Sequence, residues 1–217
     1  MIPFLILGAG GTARDVLEWL PALAAAGRPH RCIGVLDDDP AKLGNDIGGA
    51  RVVGALPDAV RWPDALVLDA LGGPRSHRRR AEMIGRTGLT RDRFFTLVHP
   101  TAVVAGSAVI GVGALVYPFT WIGPGVRLAD HVTVLSHGSV NHDAEVGTGT
   151  ILASHVMLAG GVMVEDHCYL GAGARVRQGV RVGAGAMVGM GSVVVGDVPA
   201  GATVAGNPAR PLRSAGA

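Results

Sequence analysis

From Val98 onward the apolar positions fall on a beat of six. Val98, Val104, Ile110, Val116, Ile122, Leu128, Val134, Val140, Val146, Leu152, Leu158, Val164, Leu170, Val176, Val182, Val188 and Val194 form seventeen hits in succession. Two other phases share the beat. The residue two before the hit is usually small or β-branched, as at Ala108, Ala114, Thr120, Ala144, Cys168, Ala174, Ala186 and Ser192. The residue after it is often glycine, as at Gly111, Gly123, Gly147, Gly171, Gly183 and Gly189. A period of six is neither the 3.6 of a helix nor the 2 of a strand, and a fixed long period marks a repeat architecture. A triangular solenoid accounts for it. Each flat side is one six-residue unit, a short strand and a turn, and three sides close a coil. The aliphatic residue points inward at each corner, the small residue fits beside it, and the glycine supplies the turn's unusual backbone angles. Coils stack by parallel pairing at about 4.8 Å. Residues 98–195 supply between five and six of them.

The first third follows another pattern. Residues 4–7 read as a buried strand, Gly8-Ala9-Gly10-Gly11-Thr12-Ala13 as a turn, and Ala13 to Ala25 as a helix. Ile33 to Leu36 is a second strand ending at Asp37-Asp38-Asp39, and Ala65 to Leu71 a third. The expected organisation is an α/β Rossmann-like βαβ domain over residues 1–96, then an all-β domain over 97–217. The turn fits G-x-G-x-x-A with an acid at the end of the second strand. Free amides at a helix N-terminus favour phosphate. Three readings stand: a tight turn without a ligand, an NAD site, or a site for a nucleotide-linked acceptor. Fewer than 100 residues supply only one mononucleotide-binding half, which disfavours NAD. In the preferred third reading Gly8, Gly10, Gly11 and Thr12 receive the acceptor, and Asp37 and Asp38 hydrogen-bond a ribose or base edge.

Composition narrows the function classes. Hydrophobic residues make up 48% of the 217 and aromatics 4%, with 34 glycines, so the core is aliphatic. A net charge of +2 gives no reason to expect nucleic acid, and the run Arg78-Arg79-Arg80 reads as a solvated helix face. Two cysteines, Cys32 and Cys168, do not make a disulfide framework, and Cys168 falls in an inward slot. No apolar run reaches the roughly 18 residues of a membrane span. No basic region precedes the apolar start, so no signal peptide is expected and the expected compartment is the cytoplasm. Tyr117, Phe119 and Trp121 cluster on one coil, for packing or a subunit contact.

A βαβ unit ahead of this repeat resembles one branch of the hexapeptide-repeat, left-handed β-helix acyltransferases: the sialic acid O-acetyltransferases and bacillosamine-pathway sugar N-acetyltransferases. The residues that carry the resemblance are Gly8-Ala9-Gly10-Gly11, Leu36-Asp37-Asp38, Val98-His99-Pro100, Val140-Asn141-His142-Asp143, Leu158-Ala159-Gly160-Gly161 and Gly206-Asn207-Pro208-Ala209. The resemblance implies the left hand of the coil, acetyl-CoA as co-substrate, and a homotrimer with active sites between subunits. It also implies His142 as general base, Asp143 as its supporting acid, and Gly160, Ala172, Gly173 and Met190 along the CoA channel. An imidazole suits the removal of a proton from an attacking amine or hydroxyl. The chain departs from the pattern at three places. Thr12 stands where the family's turn carries His, Ile151 where it has a second His, and Leu135 where it has an Asn. His137 and His155, eighteen apart and so in one column, are candidates to replace those groups at the acceptor, or else exposed turn residues.

Other readings stay open. The acceptor could be a non-sugar amine or hydroxyl, and the fold could serve as a non-catalytic scaffold or ligand sensor. The related γ-type carbonic anhydrases hold zinc with three His, and His137 and His142 are five apart as in that family. Their phase in the repeat disagrees with it, however, and Thr101 stands where a third ligand would be. Zinc needs three or four converging ligands, so no metal is expected. His131 and His167 read as solvated turn residues, and His99 as a residue joining the two domains.

Overall fold

The computed structural model describes residues 2–212. Its first part holds strands β1 (Ile2–Leu7), β2 (His30–Leu36), β3 (Asp46–Ile47), β4 (Ala50–Gly54) and β5 (Leu66–Asp69), with helices α1 (Gly11–Ala25) and α2 (Arg80–Gly85). The sheet order is β3-β4-β2-β1-β5. All pairs are parallel except the β3–β4 hairpin. Phe4, Leu5, Ile6 and Leu7 are fully buried, as a central parallel strand covered on both faces requires. Helix α1 turns Ala13, Val16, Leu17, Trp19 and Leu23 inward at helical spacing. It begins two residues earlier than the sequence suggests, because Gly11 and Thr12 already belong to its first turn. Strand β4 escapes the sequence pattern: it is short, with Arg51 exposed between buried Ala50 and Val52.

From Leu97 the chain winds through two-residue strands, each paired in parallel with the strand eighteen residues on. Three sheets result, of six, five and eight strands. The first face runs from Val103–Val104 to Val193–Val194, and the second from Val109–Ile110 to Arg181–Val182. The third runs from Leu97–Val98 to Met187–Val188 and closes with Thr203–Gly206 and an antiparallel Ala209–Pro211. These short parallel strands on three faces fit a left-handed β-helix. Every aliphatic residue of the beat from Val116 to Val194 is no more than 3% exposed, and Cys168 is buried beside them. Val98 and Ile110 are only half-buried and Val104 is 36% exposed, because no coil stacks beneath the first.

The aliphatic residues lie in the strands of the faces and not at the corners, which fall three residues later, and the glycine after each of them has a different cause from the expected one. Left-handed backbone falls two residues later, at Gly113, Gly125, Gly149, Gly161, Gly173 and others of that phase. Gly111, Gly171 and Gly183 sit instead where coils touch: a β-carbon there would come within 2.6 Å of backbone in the next coil. They are needed for close approach rather than for backbone freedom.

Two joints fasten the β/α part to the coil. At one, Trp19 of α1 packs edge-on against Tyr117 and His99, with ring centroids 4.4 and 5.3 Å apart. His99 therefore does bridge the two parts. At the other, the last residue of β5, Asp69, is fully buried beside fully buried Arg80, 2.9 Å away. The Arg80 guanidinium also donates to Thr133 Oγ1 at 3.1 Å and the Gly149 carbonyl at 3.4 Å, and His131 Nδ1 meets Asp69 at 3.0 Å. This corrects two expectations. The arginine run is not one solvated face: Arg79 is exposed with Glu82, Arg78 donates to the carbonyls of Gly185 and Gly201, and Arg80 is buried. His131 and His167 are not free turn residues either. Each imidazole lies in the space a side chain would need at Gly113 or Gly149, one coil back. Burial alone would raise the Asp69 pKa, but Arg80, His131 and the Leu71 amide outweigh it and hold the carboxyl below its ordinary value.

Candidate functional site

The corners of the coil carry the candidate residues. Every sixth residue from Gly113 to Gly191 is left-handed, and six of these fourteen are not glycine: Phe119, His131, His137, Asp143, His155 and His167. A side chain in that conformation costs roughly 1–2 kcal/mol per residue, so each needs a compensating contact or a use.

His142 and Asp143 form the corner between the first and second faces. The Asp143 amide donates to the Pro124 carbonyl at 2.9 Å, and the Gly161 amide donates to the His142 carbonyl at 2.9 Å. The Asn141 side chain donates to the Leu158 carbonyl at 2.7 Å. The corner is thus pinned from the coils on either side. Asp143 Oδ2 lies 3.0 Å from His142 Nδ1. A carboxylate accepts from an N–H, which fits the tautomer with the proton on Nδ1 and none on Nε2. The ring lies against Gly160, where a β-carbon would overlap Cε1 and Nε2. Gly160, placed on the CoA channel by resemblance, therefore seats the imidazole. The His142 side chain is 58% exposed and that of Asp143 76%, so one chain alone leaves the pair at an open edge.

The other candidates lie along the corner between the third and first faces. Phe119, His137 and His155 stack there, with centroid separations of 5.3 and 4.8 Å and interplanar angles of 16° and 7°. The eighteen-residue spacing that pairs the two histidines also reaches Phe119, which the sequence suggests only for packing or a subunit contact. Ala172, Gly173 and Met190 continue the same edge, and Met190 is 80% exposed. One flat face thus separates these three from Gly160 within a chain.

The glycine-rich turn abuts that edge. Asp15 accepts from the Tyr117 hydroxyl at 3.0 Å, two residues before Phe119, with Thr12 beside them. Burial, then the Asp15 charge, push that hydroxyl well above its ordinary pKa. Gly10 and Gly11 are exposed, with open space where side chains would be, and no side chain caps α1. Gly8, at φ +93°, donates its amide to the Leu36 carbonyl at 2.7 Å. Asp37 and Asp38 are engaged within the fold. Asp37 accepts from the Ala9 amide at 2.8 Å and from Lys42 at 2.9 Å, and Asp38 accepts from the Leu56 amide and pairs with Arg86 at 2.8 Å. Burial works against the Asp37 charge, but Lys42 and the amides of Asp39 and Ala9 prevail and hold its pKa below the ordinary value.

The three departures have packing roles. Leu135 bridges the coil core and the core beneath α1. Ile151 is buried on the third face against Gly72, and Thr12 belongs to the Tyr117 joint. Among the described residues no three His, Cys, Asp or Glu gather where they could hold a metal ion, and no helix is long and apolar enough to cross a membrane.

No family model matches the chain. It is 36% identical over 116 residues to the UDP-N-acetylbacillosamine N-acetyltransferase of Bacillus subtilis (strain 168), across 51% of this chain and 49% of that protein, so the match spans about half the length of that curated relative. Among solved structures, the acetyltransferase domain of PglB from Neisseria gonorrhoeae FA1090 superposes with a TM-score of 0.82 at 31% identity, covering 98% of this chain and all of that one. The same domain is also known in complex with acetyl coenzyme A. PerB from Caulobacter crescentus, in complex with CoA and GDP-perosamine, superposes with a TM-score of 0.83 at 32% identity over 98% of both chains.

Proposed function

Because this chain belongs to the hexapeptide-repeat sugar N-acetyltransferases, we propose that it moves an acetyl group from acetyl-CoA to the amine of a nucleotide-linked amino sugar, with His142 as general base. The carrying observation is the His142–Asp143 pair, with Nδ1 held and Nε2 free, over a glycine that leaves room for the ring. Nε2 takes a proton from the acceptor amine as its nitrogen attacks the thioester carbonyl. The C–N bond forms, the C–S bond breaks, and the proton passes to the departing CoA sulfur. Asp143 fixes the tautomer, and a backbone amide serves the developing oxyanion.

In this reading residues 1–96 are a Rossmann-like acceptor domain and 97–217 the transferase domain. Gly10, Gly11 and Thr12 face the acceptor's phosphates, while Gly8, whose amide is held by the Leu36 carbonyl, and Asp37, which holds the Ala9 amide, shape that turn from beneath; Asp38 is engaged with Leu56 and Arg86 and takes no part in it. The chain forms a homotrimer in the cytoplasm. Gly160 of one subunit faces Ala172, Gly173 and Met190 of the next, which brings the two separated edges to opposite walls of one CoA channel. Exposed Val103, Phe119 and Trp121 around the first face support such an interface.

The test is mass spectrometry of the purified protein with acetyl-CoA and a panel of UDP- and GDP-linked amino sugars. A gain of one acetyl group on a nucleotide-linked amine is expected. Transfer only to free sugars or to hydroxyls would overturn the acceptor assignment. Gly160→Ala gives a second check. The overlapped ring is half-exposed and free to swing away, so Tm is expected to stay within about 3 °C, a change under 1 kcal/mol. Turnover is expected to fall about 100-fold, the lower range for loss of a general base. Unchanged turnover would show that the ring's seat does not matter.

A further inference from the structure

The ring column Phe119–His137–His155 ends where a fourth ring would fit. Phe119, His137, His155, Gly173 and Gly191 occupy one corner of successive coils at φ values between 58° and 72°, so their side-chain directions coincide. The first three project rings that stack nearly parallel. The last two project nothing. A β-carbon built on Gly173 meets only the Gly191 backbone, at 3.9 Å, and one on Gly191 meets nothing within 4 Å. One face of the His155 ring therefore looks along the coil axis over two glycine steps, a height of about 9.6 Å. Met190, 80% exposed, stands beside them, and a thioether packs well against an aromatic edge.

We propose that His155 is a stacking platform for the planar heteroaromatic base of a bound nucleotide, which lies over the Gly173 and Gly191 backbone as the fourth ring of the column. This rests on the acetyl-transfer reading, in which both co-substrates carry such a base. The base is either the adenine of CoA or the nucleobase of the acceptor. The energetics favour use by a ligand. Two exposed histidines and an exposed phenylalanine hold a backbone that glycine would adopt without cost. Two stacked pairs return about 1–3 kcal/mol, less than the roughly 3–6 kcal/mol that three left-handed residues cost. A stacked base adds an interaction worth about 1–3 kcal/mol.

The experiment measures binding of acetyl-CoA, acetyl-pantetheine, UDP and GDP by titration calorimetry to wild type, His155→Ala and His155→Phe, with solution mass recorded for each variant. Acetyl-pantetheine carries the thioester arm without a base. The expected result is about tenfold weaker binding of a base-bearing ligand to His155→Ala, within the range for one stacked base. Acetyl-pantetheine is expected to be unchanged, and His155→Phe to restore binding to within about threefold, since a ring is what the base requires. Loss confined to acetyl-CoA assigns adenine; loss confined to UDP or GDP assigns the acceptor base. Equal loss for acetyl-pantetheine, a change in solution mass with loss of every ligand, or no loss at all would each overturn the platform. If wild type transfers acetyl groups normally and His155→Ala binds everything as before, only this inference fails. If wild type binds none of the four, the acetyl-transfer reading falls with it.

Discussion

His142→Ala is expected to lower kcat for acetyl transfer about 10²- to 10⁴-fold, the usual worth of a positioned general base. KM for acetyl-CoA should stay within about threefold, because the imidazole acts on a proton moved in the transition state rather than on the bound thioester. Steady-state kinetics with a nucleotide-linked amino sugar reads both. The side chain is largely exposed and its neighbours are pinned through backbone groups, so thermal stability should not change. Asp143→Ala should fall short of that loss, about tenfold to 100-fold, since Nε2 survives and only its orientation and tautomer are released. A His142→Ala protein that retains wild-type kcat would remove this residue from the chemistry. Loss in KM alone would make it a binding group.

The second large effect concerns the joint between the two parts. Asp69→Ala leaves the Arg80 guanidinium charged and fully buried without its carboxylate. Breaking one partner of a buried pair costs about 3–5 kcal/mol, or a Tm lower by roughly 10 °C for a chain of this size. Replacing both, as Asp69→Ala with Arg80→Met, should recover most of the loss, because no unpaired charge remains. The pH dependence has a definite sign. The folded-state pKa of Asp69 is depressed below the ordinary 3.8, so the unfolded chain takes up this proton at a higher pH than the folded one. Its contribution is complete above that ordinary value and is lost as pH falls through the depressed one. Thermal melts from pH 7 downward should therefore show the gap between wild type and Asp69→Asn widest at neutral pH and closing in acid. A gap that is absent at pH 7, or that widens in acid, would mean the joint carries no such charge coupling.

The first prediction rests on adjacent residues and the second on neighbours far apart in the chain, and that is where sequence and structure part. The six-residue beat is local and long, so it reveals the coil and its inward aliphatics directly; Val116 to Val194 are buried as the phase requires. His142 and Asp143 stand out in the sequence only through the family resemblance. A period also fixes which residues share a column. His137 and His155 could be paired from spacing alone, and Phe119 was within reach of the same arithmetic.

Spacing does not tell which columns are covered by something outside the repeat. His131 and His167 look like other corner histidines, yet glycine-made space admits both, and Asp69 from the β/α part reaches across to His131. The triple arginine reads as surface because three adjacent charges usually are; only docking against the coil singles out Arg80. Glycine roles divide in the same way. A left-handed corner follows from the repeat, whereas the near-contact behind Gly111 or Gly160 depends on an atom one coil away. The chain alone determined the solenoid and its coil length, because those follow from short-range periodicity, and its resemblance to the acyltransferases supplied the candidate base. The tertiary structure decided which charges are buried and what seats the imidazole, because the first depends on the two parts closing on each other and the second on a glycine one coil away.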